Sequence, residues 1–294
     1  MYTEIYPKIT LVTPSYNQAQ FLEETIQSVL DQNYRNLEYI IIDGGSTDNS
    51  VKIIKKYEKY LAYWVSEKDK GQTDAIAKGF EKSTGDFLSW LNSDDTYLPG
   101  SLAAVADVIQ RQPNIDVVYG DYIITDKTGK PLLRKREIKF DFDIMLYGVN
   151  MIGQPAAFFS KFIYNRVGRL DINLNYFMDV EFWLRIAKNG GKFTHVKRFI
   201  ATYRFHENSK TIKDFSVSVQ CEKEALYILN KYWTKRKFTN QRIQGIYYQY
   251  LRFINRFKRQ YLKIIYRKRT DIIPGKYFMW YYKKFKLDRN EKIL

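Results

Sequence analysis

The sequence predicts an α/β protein: a mostly parallel sheet flanked by helices, followed by a basic, amphipathic helical extension. Three observations carry that expectation. From residue 8 onward, strand-like apolar runs and helix-period segments alternate in the order βαβα, which implies parallel strands joined by right-handed crossovers. The runs at 37–42 and 86–91 are nearly continuous in apolar residues, as strands buried on both faces require. The charge is also divided: residues 1–230 hold 29 Lys+Arg and 29 Asp+Glu, whereas 231–294 hold 19 and 3, so the whole excess of +16 lies in the tail. That shift separates a neutral body, 1–230, from a basic extension, 231–294.

The elements follow in order. Residues 8–14 form a β-rich run ended by Pro14, and Ser15, Tyr16 and Asn17 turn the chain. Phe21, Leu22, Ile26, Val29 and Leu30 then recur at helical spacing, with Glu23 and Glu24 near the end the helix dipole favours. The strand at 37–42 runs into Asp43, Gly44 and Gly45, and a helical pattern covers 51–60. A short strand at 62–66, a helix at 74–82 and the strand at 86–91 come next, the last delivering Asp94 and Asp95. Pro99-Gly100 opens a helix over 101–110, and a strand at 116–125 turns through Asp126-Lys127-Thr128-Gly129 into a hairpin with 131–136. Beyond that the pattern weakens until Asp179, which starts an apolar helix stopped by Asn189-Gly190-Gly191.

The totals exclude several classes. Cys221 is the single cysteine, so there is no internal disulfide and no multi-cysteine zinc site. The first ten residues lack a basic start followed by an apolar core, and no segment has the uninterrupted apolar length of a membrane span. The expected location is cytoplasmic, with peripheral attachment to the inner face of the cell membrane left open by the tail.

Chemistry concentrates at strand ends, where open α/β sheets place their ligands. Adjacent carboxylates at Asp94 and Asp95 repel unless a cation sits among them, and a divalent metal holding a phosphate is the simplest such cation; a solvated acidic loop is the bland alternative. Asp43, followed by two glycines, is placed either to accept hydrogen bonds from a nucleobase or to cap the next helix. Asp179 is either a helix cap or a general base. His206 lies in a polar loop with a cation beside it, and a lone histidine of this kind is more often structural than a metal ligand.

The blocks Thr13-Pro14-Ser15-Tyr16-Asn17, then 43–50, then Asp69-Lys70-Gly71-Gln72-Thr73-Asp74-Ala75 with Gly79, then Gly85-Asp86 and Asn92-Ser93-Asp94-Asp95, taken in this order and spacing, resemble the nucleotide-sugar glycosyltransferases of family 2. The resemblance spans roughly residues 8–210. It implies a GT-A fold, a Rossmann-like sheet with a nucleotide-sugar half at about 1–125 and an acceptor half at about 126–230. It also implies a divalent metal, Mn²⁺ or Mg²⁺, on the donor diphosphate.

Residue by residue, the resemblance places Thr13, Pro14, Tyr16, Asp43, Lys70, Asp74, Asn92 and Ser93 around the nucleotide, with Asp43 at the base. Asp94 corresponds to the principal metal ligand of the D-x-D motif, and Asp95 assists at the metal or ribose. His206, with Ser209, is similar to the late loop that closes on metal and diphosphate. Asp179, followed by Phe182-Trp183-Leu184-Arg185, is similar to the catalytic base, and Gln154 and Trp183 mark the acceptor side. Two positions depart from the pattern: Asn92 stands first in D-x-D, and Met178 precedes Asp179 where many relatives have glutamate.

The implied reaction is metal-dependent transfer with inversion, from a nucleoside diphosphate sugar such as a UDP-sugar to a glycan or polyprenyl-linked acceptor in surface-polysaccharide assembly. A degenerate nucleotide-sugar-binding protein at the membrane is the alternative that Asn92 and Met178 suggest. A glycoside hydrolase would need two opposed carboxylates and no nucleotide.

In the tail, Ile243, Tyr247, Tyr250, Ile254, Phe257, Tyr261 and Ile264 recur every three or four positions, interleaved with Arg252, Arg256, Lys258, Arg259, Lys263, Arg267 and Lys268. Such a helix either docks on the body with a solvated basic face or lies on an anionic membrane surface. Nucleic acid is not an expected partner, since no recognised binding module is present.

Overall fold

The structure is a computed structural model and describes residues 6–148, 150–207, 209, 219–235, 237 and 239–267. Lys268 and the rest of the basic tail lie outside the described residues. The first half runs β1 (Ile9–Ser15), α1 (Ala19–Leu30), β2 (Leu37–Asp43), α2 (Ser50–Tyr57), β3 (Tyr63–Ser66), α3 (Gln72–Lys82) and β4 (Phe87–Trp90). This is the predicted alternation, with α2 ending in a 3₁₀ turn over Glu58–Tyr60. The second half holds β5 (Thr96–Tyr97), α4 (Ser101–Arg111), β6 (Val117–Thr125), β7 (Pro131–Lys135), β8 (Ala157–Ser160), α5 (Lys161–Val167), α6 (Met178–Lys188), β9 (Phe193–Arg204), α7 (Val219–Tyr232) and α8 (Gln241–Arg267).

Among the described residues these strands form one sheet of nine in the order β3-β2-β1-β4-β8-β6-β9-β5, with β7 paired to β6. β1 pairs in parallel with β2 and β4, β2 with β3, and β6 with β9. Antiparallel β8 bridges β4 and β6. β6 therefore returns to the direction of β4, and six of the nine strands point one way.

The continuous apolar runs are explained by what covers them. In β2, Ile40 and Ile42 face one core while Tyr39 and Ile41 face another, and β4 splits the same way, with Leu88 and Trp90 against Phe87. Alternate side chains leave a strand on opposite faces, so a sheet covered on both sides cannot spare either set for polar residues. Gly79 is demanded by this layering. A Cβ there would lie 2.4 Å from Val12 Cγ1, so only glycine lets α3 seat against β1.

The tail helix α8 packs one row on the body. Leu251 is buried with Tyr147 and Leu229, and Leu262 joins the larger core. Arg259 donates to buried Glu137 at 2.5 Å, and Lys258 to Asp141 at 2.6 Å.

Candidate active site

The tips of β1 and β4 and the start of α6 border one cavity of about 970 Å³, lined among others by Pro14, Tyr16, Asn92, Ser93, Asp94, Gln154 and Asp179. Two halves of the sheet thus contribute to one space. Asp94 comes from the turn after β4 in the first half, and Asp179 from the N-terminal turn of α6 in the second.

At the first of these, His206 Nε2 lies 2.9 Å from Asp94 Oδ2. The imidazole is 4% exposed and its ring sits 4.7 Å from that of Phe21, which fixes where the nitrogen can point. Ser209 donates its backbone N–H to the His206 carbonyl at 2.9 Å and lines the cavity. One carboxylate and one imidazole side by side form a donor set suited to Mn²⁺ or Mg²⁺ when phosphate and water oxygens complete the shell. Among the described residues no group of three or more His, Cys, Asp or Glu converges on one point. The residues present therefore fit a cation shared with a phosphate ligand rather than an all-protein cage.

Asn92, in the first D-x-D position, is engaged by amides. Gln72 Nε2 donates to its Oδ1 at 2.6 Å, and its Nδ2 donates to Gln154 Oε1 at 3.0 Å. Gln154 in turn donates to the Trp90 carbonyl at 2.6 Å. This chain of amides stiffens the floor between the two halves of the cavity.

Asp179 opens on the cavity from the other side. Its Oδ2 accepts from Asn150 Nδ2 at 3.2 Å, and its Oδ1 from the Val180 N–H. Burial in the wall pushes its carboxyl up to about 6, and these two donors only partly offset that. A group so placed is charged at neutral pH yet basic enough to take a proton. Asn150→Ala removes a donor to the ionised form, so the midpoint of any activity governed by Asp179 is expected to move above 6. A pH–rate profile checks it, and an unmoved midpoint would dismiss the Asn150 contact.

Several expected site residues lie elsewhere. Asp95 is 0% exposed and turned inward, its Oδ1 accepting the Arg204 N–H at 2.9 Å. Burial and the neighbouring Asp94 hold its carboxyl well above the usual range, so it ties the tip of β4 to β9 and does not face the cavity. Trp183 is also 0% exposed and stacks on Trp90 at 6.1 Å between ring centres. One helical turn past Asp179, it belongs to the core beneath the cavity.

Thr13 is buried, with its hydroxyl 3.1 Å from Tyr39 Oη. Asp74 accepts the Lys70 N–H at 3.0 Å and faces Lys78. It thus ties the first turn of α3 to the chain that enters it, and neither Asp74 nor Lys70 lines the cavity.

Asp43 is 0% exposed and holds its own turn. It accepts from the N–H groups of Gly45 and Ser46 and from the hydroxyls of Ser46 and Ser66. The carboxylate that does border the cavity beside it is Asp69, packed so closely that a Cβ on Gly44 would stand 2.6 Å from its Oδ2. Sequence reasoning gave Asp69 no role, nor Asn150, Tyr122 or Lys135, which also line the space. Lys135 is held below the usual lysine range by burial, with Glu137 opposing. The only local signal for it was its place at the end of a predicted hairpin strand.

The sequence profile described as Glycosyl transferase family 2 matches residues 10–168. An uncharacterized glycosyltransferase of Mycobacterium tuberculosis is 31% identical over 187 residues, covering 62% of this chain and 69% of the relative. One of Rickettsia typhi is 28% identical over 189 residues, covering 62% of this chain and 59% of its own length. A PGL/p-HBAD biosynthesis glycosyltransferase of Mycobacterium bovis is 28% identical over 220 residues, or 71% and 81% of the two chains.

Among solved structures, TarS of S. aureus in complex with UDP-GlcNAc aligns with a TM-score of 0.56 and 16% identity, over 69% of this chain and 60% of that one. The mannosyltransferase PcManGT of Pyrobaculum calidifontis, with GDP-Man and Mn²⁺, aligns with a TM-score of 0.58 and 16% identity, over 86% and 72%. The fold shared with these is GT-A.

Proposed function

The chain belongs to glycosyl transferase family 2 and is a glycosyltransferase, and from that premise we propose that it moves a sugar with inversion from a nucleoside diphosphate sugar to a glycan or polyprenyl-linked acceptor. A UDP-sugar is the donor we favour, and surface-polysaccharide assembly the setting. The observation that carries the reading is the cavity shared by Asp94 and Asp179, one from each half of the sheet. The donors held by TarS and PcManGT, UDP-GlcNAc and GDP-Man, support a nucleoside diphosphate sugar as the ligand class.

In this reading Pro14, Tyr16 and Ser93 border the nucleotide, while Asp94 and His206 hold a divalent cation. Such a cation, when bound, neutralises charge developing on the leaving diphosphate. Asp179 takes the proton from the acceptor hydroxyl as that oxygen attacks the anomeric carbon opposite the diphosphate. Asn150 keeps the receiving carboxylate oriented, and the Gln72–Asn92–Gln154 amides keep the two ends of the cavity in register. Placing both reactants in one walled space supplies much of the acceleration.

Calorimetry with UDP, GDP, dTDP and CDP, in Mn²⁺, Mg²⁺ or chelator, tests the donor assignment. One nucleotide is expected to bind in a metal-dependent way, and Asp94→Ala to weaken that binding by at least roughly tenfold. Failure of all four to bind would overturn the assignment. Asn92 favours one second reading, a protein that binds a nucleotide sugar without turning it over, and slow metal-dependent hydrolysis of the donor would dismiss it.

A further inference from the structure

The helix α8 presents two faces of different character. Leu251, Asn255 and Arg259 form its buried row. On the other side Ile246, Tyr250, Phe253, Phe257, Tyr261 and Ile264 are 56 to 72% exposed. At 3.6 residues per turn these six fall within an arc of about 80°, roughly opposite the buried row. They make a continuous apolar stripe some four to five turns long, where soluble proteins ordinarily scatter such residues singly.

The charge around the stripe says what covers it. Residues 241–267 contain seven Lys+Arg and no Asp or Glu. Arg242 and Arg256 are exposed along one flank of the stripe, while Lys258, on the other, is paired with Asp141 of the body. A second copy packed stripe to stripe would set the exposed Arg242 and Arg256 of each helix beside a surface with no acidic residue on either helix to offset them. An anionic lipid surface instead accepts both features at once, the aromatic stripe at the acyl boundary and the cations among the headgroups. No helix among the described residues is long and apolar enough to cross a membrane, so the contact is one of lying on the surface.

We infer that α8 is an interfacial helix which seats the protein on anionic lipid through the Ile246–Ile264 stripe. The body is clamped to its other face by the Arg259–Glu137 and Lys258–Asp141 pairs. Glu137 lies two residues from Lys135, which lines the cavity. The lipid-bound helix and the acceptor side of the cavity are thereby joined through one short segment. The surface contact itself does not depend on the transfer reaction.

Sedimentation of the full chain with phosphatidylcholine vesicles, with or without roughly one-third phosphatidylglycerol, reads this directly and needs no donor. Wild-type protein is expected to pellet with the anionic vesicles alone and to be released as salt rises. Phe253→Ser combined with Phe257→Ser is expected to weaken binding by roughly tenfold or more without changing thermal unfolding. Arg242→Gln and Arg256→Gln are each expected to weaken it about fivefold.

Undiminished binding by the double-Phe variant would overturn the proposal. So would a wild-type dimer that ignores vesicles and dissociates in that variant, which would assign the stripe to a second copy. Absence of vesicle binding together with a lowered unfolding temperature in the variant would assign it to a cover from within the chain, and would equally overturn it. Vesicle binding without nucleotide binding would leave this inference standing and remove the proposed reaction instead.

Discussion

Asp179→Asn is expected to lower turnover by about 10²- to 10⁴-fold, the range that a positioned general base contributes, while nucleotide affinity stays unchanged. Asparagine keeps the shape and can still meet Asn150, but it cannot take a proton. The wild-type rate is expected to rise with pH through about 6, the value to which burial pushes this carboxyl, and to level off above it. The Asn variant should lack that limb.

Stability supplies the control. The folded-state value lies above the unfolded one near ~3.9, so the native state binds the extra proton between them and stability falls as pH rises across that window. Removing the titrating group abolishes that fall, and the variant should be no less stable than wild type at neutral pH. Single-turnover kinetics with thermal unfolding across pH checks both halves. Near-normal turnover would remove Asp179 from the chemistry.

How much of this was legible in the sequence depended on how local the cause was. The alternation from β1 to β4 could be read because each strand is a nearly continuous apolar run, and each crossover helix has an apolar stripe of its own. β8 could not. It is four residues long and owes its existence to partners far away in the chain, Phe87–Leu88 on one side and Val117–Tyr119 on the other. In β9, only Ile200, Ala201 and Arg204 are buried, which leaves no periodic signal to find.

The site shows the same division. Asp94 and Asp179 could be located because each sits at the end of an element with a readable pattern. Which way a carboxylate turns could not be read. Asp95 and Asp43 stand at equally suitable strand ends, yet each is consumed by hydrogen bonds to backbone groups, Arg204 in one case and the 45–46 turn in the other. Trp183 shares a helix face with Asp179 by spacing. One turn deeper, however, it meets Trp90 instead of the cavity. Sequence spacing reports the face of an element and not the depth at which a side chain lies.

Glu181 gives the second large effect, and it acts on what holds Asp179 in place. The two residues share the first turn of α6 but point apart. Glu181 is 0% exposed. Its Oε2 accepts from Arg185 Nη2 at 2.9 Å, and its Oε1 from Lys231 Nζ at 2.9 Å and Tyr232 Oη at 2.7 Å. Arg185 carries the connection onward to the carbonyls of Val167 and Gly168. Glu224 of α7 binds the N–H groups of Asn175 and Tyr176, just before α6. The N-terminal turn that presents Asp179 is thus held against α7 from two sides.

Glu181→Ala is therefore expected to cost about 3–5 kcal/mol of unfolding free energy, the usual consequence of stranding a buried partner. Most of it comes from Arg185, whose side chain is 16% exposed, because Lys231, at 36%, is screened by water. The pH dependence has the opposite sign to that of Asp179. Burial opposes ionisation of Glu181, but Lys231, Tyr232 and Arg185 outweigh it and hold the carboxyl below the usual range. Its contribution is complete above the unfolded value near ~4.3 and is lost as pH falls through the lower folded value.

Urea unfolding of wild type and variant between neutral and acid pH reads both the size and the sign. A loss below about 1 kcal/mol would mean that α6 is held by its apolar face alone. If the clamp positions Asp179, the folded fraction of the variant should also show a lower kcat with the donor KM little changed. A purely structural role would leave kcat per folded molecule untouched.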